Sequence, residues 1–252
     1  MIPFRRALSA IAALLPLLRP AVAQDWSSCP ASPSLPVPKI PHTRAALATN
    51  QPVVIVALGS SSTRGWMATD IAHSYPALLQ RYLNDSVPRL DVAVINRGIG
   101  GQDAPEELAR LDTDVLAIKP TLVIWQAGAN FSLHGADPAT FKRLMVEGVR
   151  RLKAAGTDVI LMDNQRSPRI LAAADHVAME AAMRDVAITT GVNLFTRGAL
   201  MDAWEAHGAP IDDFVAPDGL HMNNKGYLCL AHALGDVIAA ALRQPLSVQQ
   251  AP

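Results

Sequence analysis

The chain has 252 residues, of which 50% are hydrophobic and 17% charged, a composition that suits one α/β domain with a substantial core and excludes disordered and fibrous classes. Its 22 basic residues balance 22 acidic ones, and no basic run follows the N-terminus. A nucleic-acid partner needs a concentrated cationic face, so none is expected.

In chain order, residues 1–23 read as a signal peptide. Arg5 and Arg6 form a short positive region, residues 7–18 are apolar, and Ala21-Val22-Ala23 supplies small residues ahead of Gln24. That apolar run is too short to cross a bilayer core of about 30 Å as a helix. The mature protein is therefore expected to be secreted or periplasmic, with no membrane span once the signal is cleaved. Residues 24–51 are rich in Pro and Ser and predict an extended surface arm. Residues 52–245 read as a single catalytic-sized domain, followed by a flexible tail at 246–252.

Within the domain, apolar strand-like runs at 53–58, 92–96, 122–125, 159–162 and 192–195 alternate with amphipathic stretches at 75–83, 106–118, 139–154 and 174–190. A final helix is predicted over 224–242. Asp137-Pro138 has the form of an N-cap followed by proline at the first helical position, and Gly156 that of a helix stop. The alternation predicts a three-layer α/β/α fold, a flavodoxin-like five-stranded parallel sheet with helices on both faces. The two cysteines, Cys29 and Cys229, could close a long loop as a disulfide in an exported protein. Alternatively, Cys229 is a small buried hydrophobe in the apolar run 227–231.

Ligand sites of open parallel sheets lie beyond the carboxyl ends of the strands. There the first run exits into Gly59-Ser60-Ser61-Ser62-Thr63, the second into Asn96-Arg97-Gly98-Ile99-Gly100-Gly101, and the third into Gln126-Ala127-Gly128-Ala129-Asn130. The loop before the last helix carries Pro217-Asp218-Gly219-Leu220-His221. Each piece alone is weak. Gly-Ser turns are common, the second string fits a dinucleotide fingerprint poorly, and Asp70 with His73 repeats the D-x-x-H spacing.

Together and in this order, the four strings resemble the SGNH (GDSL-type) serine hydrolase/esterase family over residues 53–242. The resemblance implies an acyl-enzyme on Ser61, with His221 as general base and Asp218 orienting it. It further implies an oxyanion hole built from the backbone N–H groups of Ser61 and Gly101 and the side-chain amide of Asn130, with no metal and no cofactor. The chemistry agrees with these residue types. A serine hydroxyl needs an adjacent base, histidine titrates in the useful range, and a carboxylate fixes the imidazole tautomer. Glycine at 101 is expected to keep a side chain out of the path between backbone and substrate. Two positions depart from the family pattern. Ser60 replaces the usual Asp and creates a serine run, and Phe131 stands where Asp commonly follows the asparagine; both are expected to alter pocket polarity.

Other assignments stay open. Asp70 and His73 could form a second acid–base pair, and His134 and His207 read as surface histidines. Trp66 could line a pocket or pack, and Gln126 could line the pocket or simply belong to the strand. The favoured substrate is a small acyl ester, such as an O-acetyl group on a carbohydrate. Lysophospholipase, thioesterase and acyltransferase activities would use the same triad, and an inactive glycan-binding module is the non-enzymatic alternative.

Overall fold

The computed structural model describes residues 24–87 and 90–244. The signal-peptide reading and the tail at 246–252 lie outside those residues. Among the described residues, sixteen α-helices and β-strands follow in chain order. The first part of the domain contains α1 Pro41–Ala48, β1 Val53–Gly59, α2 Ser61–Arg64, α3 Tyr75–Ser86, β2 Val92–Gly98, α4 Ala104–Ala109, α5 Leu111–Asp114 and β3 Leu122–Gln126. The rest contains α6 Ala129–Leu133, α7 Pro138–Ala154, β4 Asp158–Met162, α8 Pro168–Leu171, α9 His176–Thr190, β5 Asn193–Phe195, α10 Arg197–Ala206 and α11 Asn224–Arg243.

All strand pairs are parallel and the sheet order is β2-β1-β3-β4-β5. This is the predicted flavodoxin-like order, whose switch point falls between β1 and β3. Alternate residues of β1 feed different layers. Ile55 and Ala57 join a core with α3, α10 and α11, whereas Val56 and Leu58 join a second core with α7 and α9. A strand buried on both faces must be apolar throughout, which is why Val53 to Leu58 shows no polar alternation. The register sets Gly59 opposite Gly98 and Leu58 opposite Trp125, so the β1, β2 and β3 exits finish level at one edge.

Three departures from the expected elements have physical causes. The single helix predicted over 106–118 is broken into α4, α5 and a 3-10 turn at Leu116–Ile118. Asp112, Thr113 and Asp114 are poor helix formers, and the Thr113 hydroxyl donates back to the Arg110 carbonyl. The arm has no regular structure over 30–40 but then forms α1, where Thr43 and the preceding Ile40 are buried. Thr43 is held there by its N–H and hydroxyl, both donating to Asp158 Oδ2 at 2.8 Å. Finally, α10 was not expected, although Leu200, Met201 and Trp204 bury one face at helical spacing. A disulfide joins Cys29 to Cys229 and ties the arm to α11. Although α11 is 20 residues long and apolar, it is a core helix packed on the sheet and α3.

Candidate active site

The turn after β1 sorts the serine run. Gly59 ends the strand where a Cβ would sit 2.4 Å from Thr63 Oγ1 and 2.7 Å from the Gln126 carbonyl, so only glycine fits. The chain then enters α2, and each serine takes a different environment. Ser60 donates through both N–H and Oγ to Gln126 Oε1 at 3.3 Å. Ser62 is buried. Ser61 Oγ alone among the three meets an imidazole, with His221 Nε2 at 2.7 Å. Gln126 is fully buried and also accepts from Thr63 Oγ1 at 3.1 Å. It therefore braces the serine turn from beneath and does not line an open pocket.

The opposite ring nitrogen, His221 Nδ1, lies 2.5 Å from Asp218 Oδ2. The second carboxylate oxygen accepts the N–H groups of Leu220 and His221, each at 3.0 Å. Gly219 takes a left-handed φ of 68°, which lets the loop fold back so tightly. Burial opposes ionisation of Asp218, but the His221 side-chain bond and the two backbone N–H bonds outweigh it and hold its carboxyl below the usual range. The loop has its own anchors. Gln165 Nε2 donates to the Leu220 carbonyl at 2.8 Å, Ala216 N–H donates to the His221 carbonyl at 2.7 Å, and Asn223 caps α11 by accepting from Gly226 N–H.

The third group of residues comes from the β2 and β3 exits. Asn130 sits in the first turn of α6, and its amide donates to the Gln102 carbonyl at 2.8 Å. Gly101 has φ 80°, and a Cβ there would meet nothing within 4 Å. The left-handed backbone conformation is a reason for glycine at this position, and the space beside it is open. A tight approach within the protein is made at Gly98, where a Cβ would lie 2.1 Å from the Arg64 nitrogen. Asn96 locks the same contact, donating to the Thr63 carbonyl at 2.9 Å while accepting from Gly98 N–H at 2.9 Å. Ile99 N–H extends the pairing onto the Gly59 carbonyl at 3.0 Å. Phe131 is buried against Phe141, with ring centroids 5.4 Å apart. That departure is absorbed by the core, contrary to the expected change in pocket polarity.

The remaining candidates separate from this centre. Asp70 and His73 pair at 2.9 Å in an exposed turn, and His73 Nδ1 also contacts the Thr69 hydroxyl. His134 is exposed and pairs with Asp103 at 2.9 Å, while His207 contacts the Ala203 carbonyl. Trp66 is 50% exposed, and its backbone is fixed from both sides. Its N–H donates to the Ser61 carbonyl at 3.0 Å, and its carbonyl accepts from Tyr227 OH at 2.8 Å. A shallow groove of about 480 Å³ runs past it, lined in part by Arg64, Met67, Asp70 and Ile71. Of the supporting residues, Asn96 and Gln126 stand in the strand-exit strings. Gln165 carried no motif, and only its long-range hydrogen bond reveals it.

Residues 28–244 match the non-GDSL lipase-like family. A 115-residue segment is 31% identical to Esterase TesA of Pseudomonas aeruginosa, covering 46% of this chain and 52% of that protein. The chain spans about half the length of the curated relatives it matches. Among solved structures, a two-domain esterase active on acetylated mannans superposes with a TM-score of 0.67 at 19% identity, over 81% of this chain and 54% of that one. An acetylxylan esterase from Geobacillus stearothermophilus superposes with a TM-score of 0.63 at 20% identity, over 74% of this chain and 94% of that one. At such identities these two likenesses concern the fold.

Proposed function

The chain belongs to the non-GDSL lipase-like family, and we propose that it is an exported serine esterase that removes small acyl groups, O-acetyl in particular, from carbohydrates. The observation that carries the reading is the continuous relay Ser61 Oγ–His221 Nε2, His221 Nδ1–Asp218 Oδ2 at the switch-point edge of the sheet. His221 takes the Ser61 proton as Oγ attacks the ester carbonyl, and the ionised Asp218 stabilises the resulting imidazolium. The tetrahedral oxyanion is received by the N–H groups of Ser61 and Gly101 and the amide of Asn130. Collapse returns the proton from His221 to the departing sugar oxygen and leaves an acyl-Ser61 ester. Water, deprotonated by the same imidazole, then releases the acid.

Carbohydrate as the acyl carrier is supported by Trp66, whose half-exposed indole is held next to the nucleophile turn and can stack on a sugar face. Arg64 and Asp70 supply polar groups along the same groove. Two fold relatives that act on acetylated mannan and acetylated xylan point the same way. Export accords with the Cys29–Cys229 disulfide, which persists in oxidising compartments.

The test is acetate release from acetylated xylan and mannan oligosaccharides, set against hydrolysis of p-nitrophenyl acetate, butyrate and octanoate. Efficient deacetylation with acetate preferred over longer esters supports the reading. Turnover that rises toward octanoate, with no release from oligosaccharides, would replace it with a lipid- or thioester-directed activity.

A further inference from the structure

We infer that Arg110 is a positioning residue that holds the candidate oxyanion loop against the nucleophile turn; the inference rests on the serine-esterase reading. Arg110 lies at the break between α4 and α5, and its side chain is only 11% exposed. Its guanidinium reaches four acceptors. Nη2 donates to the Gly59 carbonyl at 3.1 Å and to the Arg97 carbonyl at 2.8 Å, Nε donates to Gln102 Oε1 at 2.7 Å, and Nη1 donates to Asp114 Oδ2 at 3.1 Å.

The first three of these contacts share a purpose. Gly59 ends β1 two residues before Ser61, and its carbonyl also accepts the Ile99 N–H of the second loop. Arg97 and Gln102 bracket the segment that contains Gly101, and the backbone carbonyl of Gln102 receives the Asn130 amide. One planar group with fixed fork geometry thus ties the nucleophile segment directly to the loop that carries Gly101, and the Asn130 segment joins them through its own bond to the Gln102 carbonyl. The Asp114 carboxylate belongs to α5, and only the backbone carbonyl of that residue, which Asp114→Asn leaves in place, meets the second segment by accepting from Arg97 Nε at 3.1 Å.

This arrangement answers a need of the mechanism. Gly101 has a left-handed φ and no side chain, so nothing of its own fixes the direction of its N–H. Oxyanion donors contribute to turnover only when they are held in place before charge develops. A clamp on either side of Gly101 provides that restraint without occupying the site.

The experiment compares Arg110→Met, Gln102→Met and Asp114→Asn with wild type. It measures kcat and KM for p-nitrophenyl acetate, the rate of labelling by a fluorophosphonate, and the melting temperature. With the clamp removed, kcat is expected to fall about tenfold to a hundredfold in Arg110→Met while KM changes less than about threefold. Labelling should slow in parallel, because the phosphonyl oxygen uses the same donors. Gln102→Met keeps the other guanidinium contacts and should show a smaller loss of the same kind with little change in melting temperature. Asp114→Asn should leave kcat within about twofold of wild type. If Arg110→Met does not fold, the Gln102 and Asp114 variants still decide the matter. Equal effects of these two, or kcat near wild type in Gln102→Met, would overturn the clamp. A wild-type protein that neither hydrolyses the ester nor takes the probe would instead sink the esterase reading and the clamp with it.

Discussion

The two halves of the candidate site are built in different ways. The acid–base half is local: Asp218 and His221 share one turn, and the carboxylate that orients the imidazole also accepts the backbone N–H groups of that turn. The proposed oxyanion half is assembled from the ends of three strands and held by bonds that cross large sequence separations, among them Asn96 to Thr63, Asn130 to Gln102 and Arg110 to Gly59. A local turn carries its geometry in a few adjacent residues. An assembled frame depends on the register of the sheet and on side chains with no motif of their own. Damage to the first should abolish the chemistry at one stroke, and damage to the second should weaken it in steps.

The largest expected effect is at the local half. His221→Ala should lower kcat on p-nitrophenyl acetate by about 10⁴-fold or more, since the serine loses its base. A loss of only tenfold, with folding intact, would break the comparison by showing that another group activates Ser61. Next comes the assembled half, where Asn130→Ala should cost about a hundred- to a thousandfold in kcat. Activity near wild type would mean that the amide is needed only for its bond to Gln102.

Below these stands the disulfide between Cys29 and Cys229, which bridges a sequence separation of 200. The paired substitution Cys29→Ser with Cys229→Ala should cost about 2–4 kcal/mol of stability in chemical denaturation and leave kcat close to wild type. An equal loss of kcat would show that α11, which begins three residues after His221, transmits strain from the arm to the local half.

The last prediction changes only how stability varies with pH and concerns the buried Glu107, which accepts the Trp125 indole N–H at 2.8 Å. Burial pushes its carboxyl up to about 8, whereas in an unfolded chain it titrates near 4.3. The folded state therefore holds a proton that the unfolded state has released. This group's contribution to stability is full below the unfolded pKa and is lost as pH rises through the folded value. Glu107→Gln keeps an acceptor for Trp125 and should flatten the decline in melting temperature between pH 5 and about pH 8. An unchanged slope would place the pH sensitivity elsewhere.

The same contrast explains what could be read from the sequence. The parallel α/β sheet was legible because strands buried on both faces must be apolar throughout, as in Val53 to Leu58. The acid–base half was legible because Asp218 and His221 are neighbours in the chain. Ser61, Gly101 and Asn130 were singled out by their order at strand exits, whereas the left-handed φ of Gly101 is carried by no motif. Arg110 was hidden inside an amphipathic stretch that reads as one helix, and its break follows from the local bonding of Thr113. Helix α1 was masked by proline-rich surroundings, since its anchor is the distant Asp158. Phe131 looked like a pocket residue because position in a motif does not reveal which way a side chain turns.

The most direct test of the central claim, that Ser61 is the serine activated by His221, is to map a fluorophosphonate adduct by peptide mass spectrometry. The account predicts one adduct on wild-type protein, located on Ser61 and absent from both Ser61→Ala and His221→Ala. An adduct on Ser60 or Ser62, labelling that survives in His221→Ala, or no adduct on folded wild-type protein would contradict it.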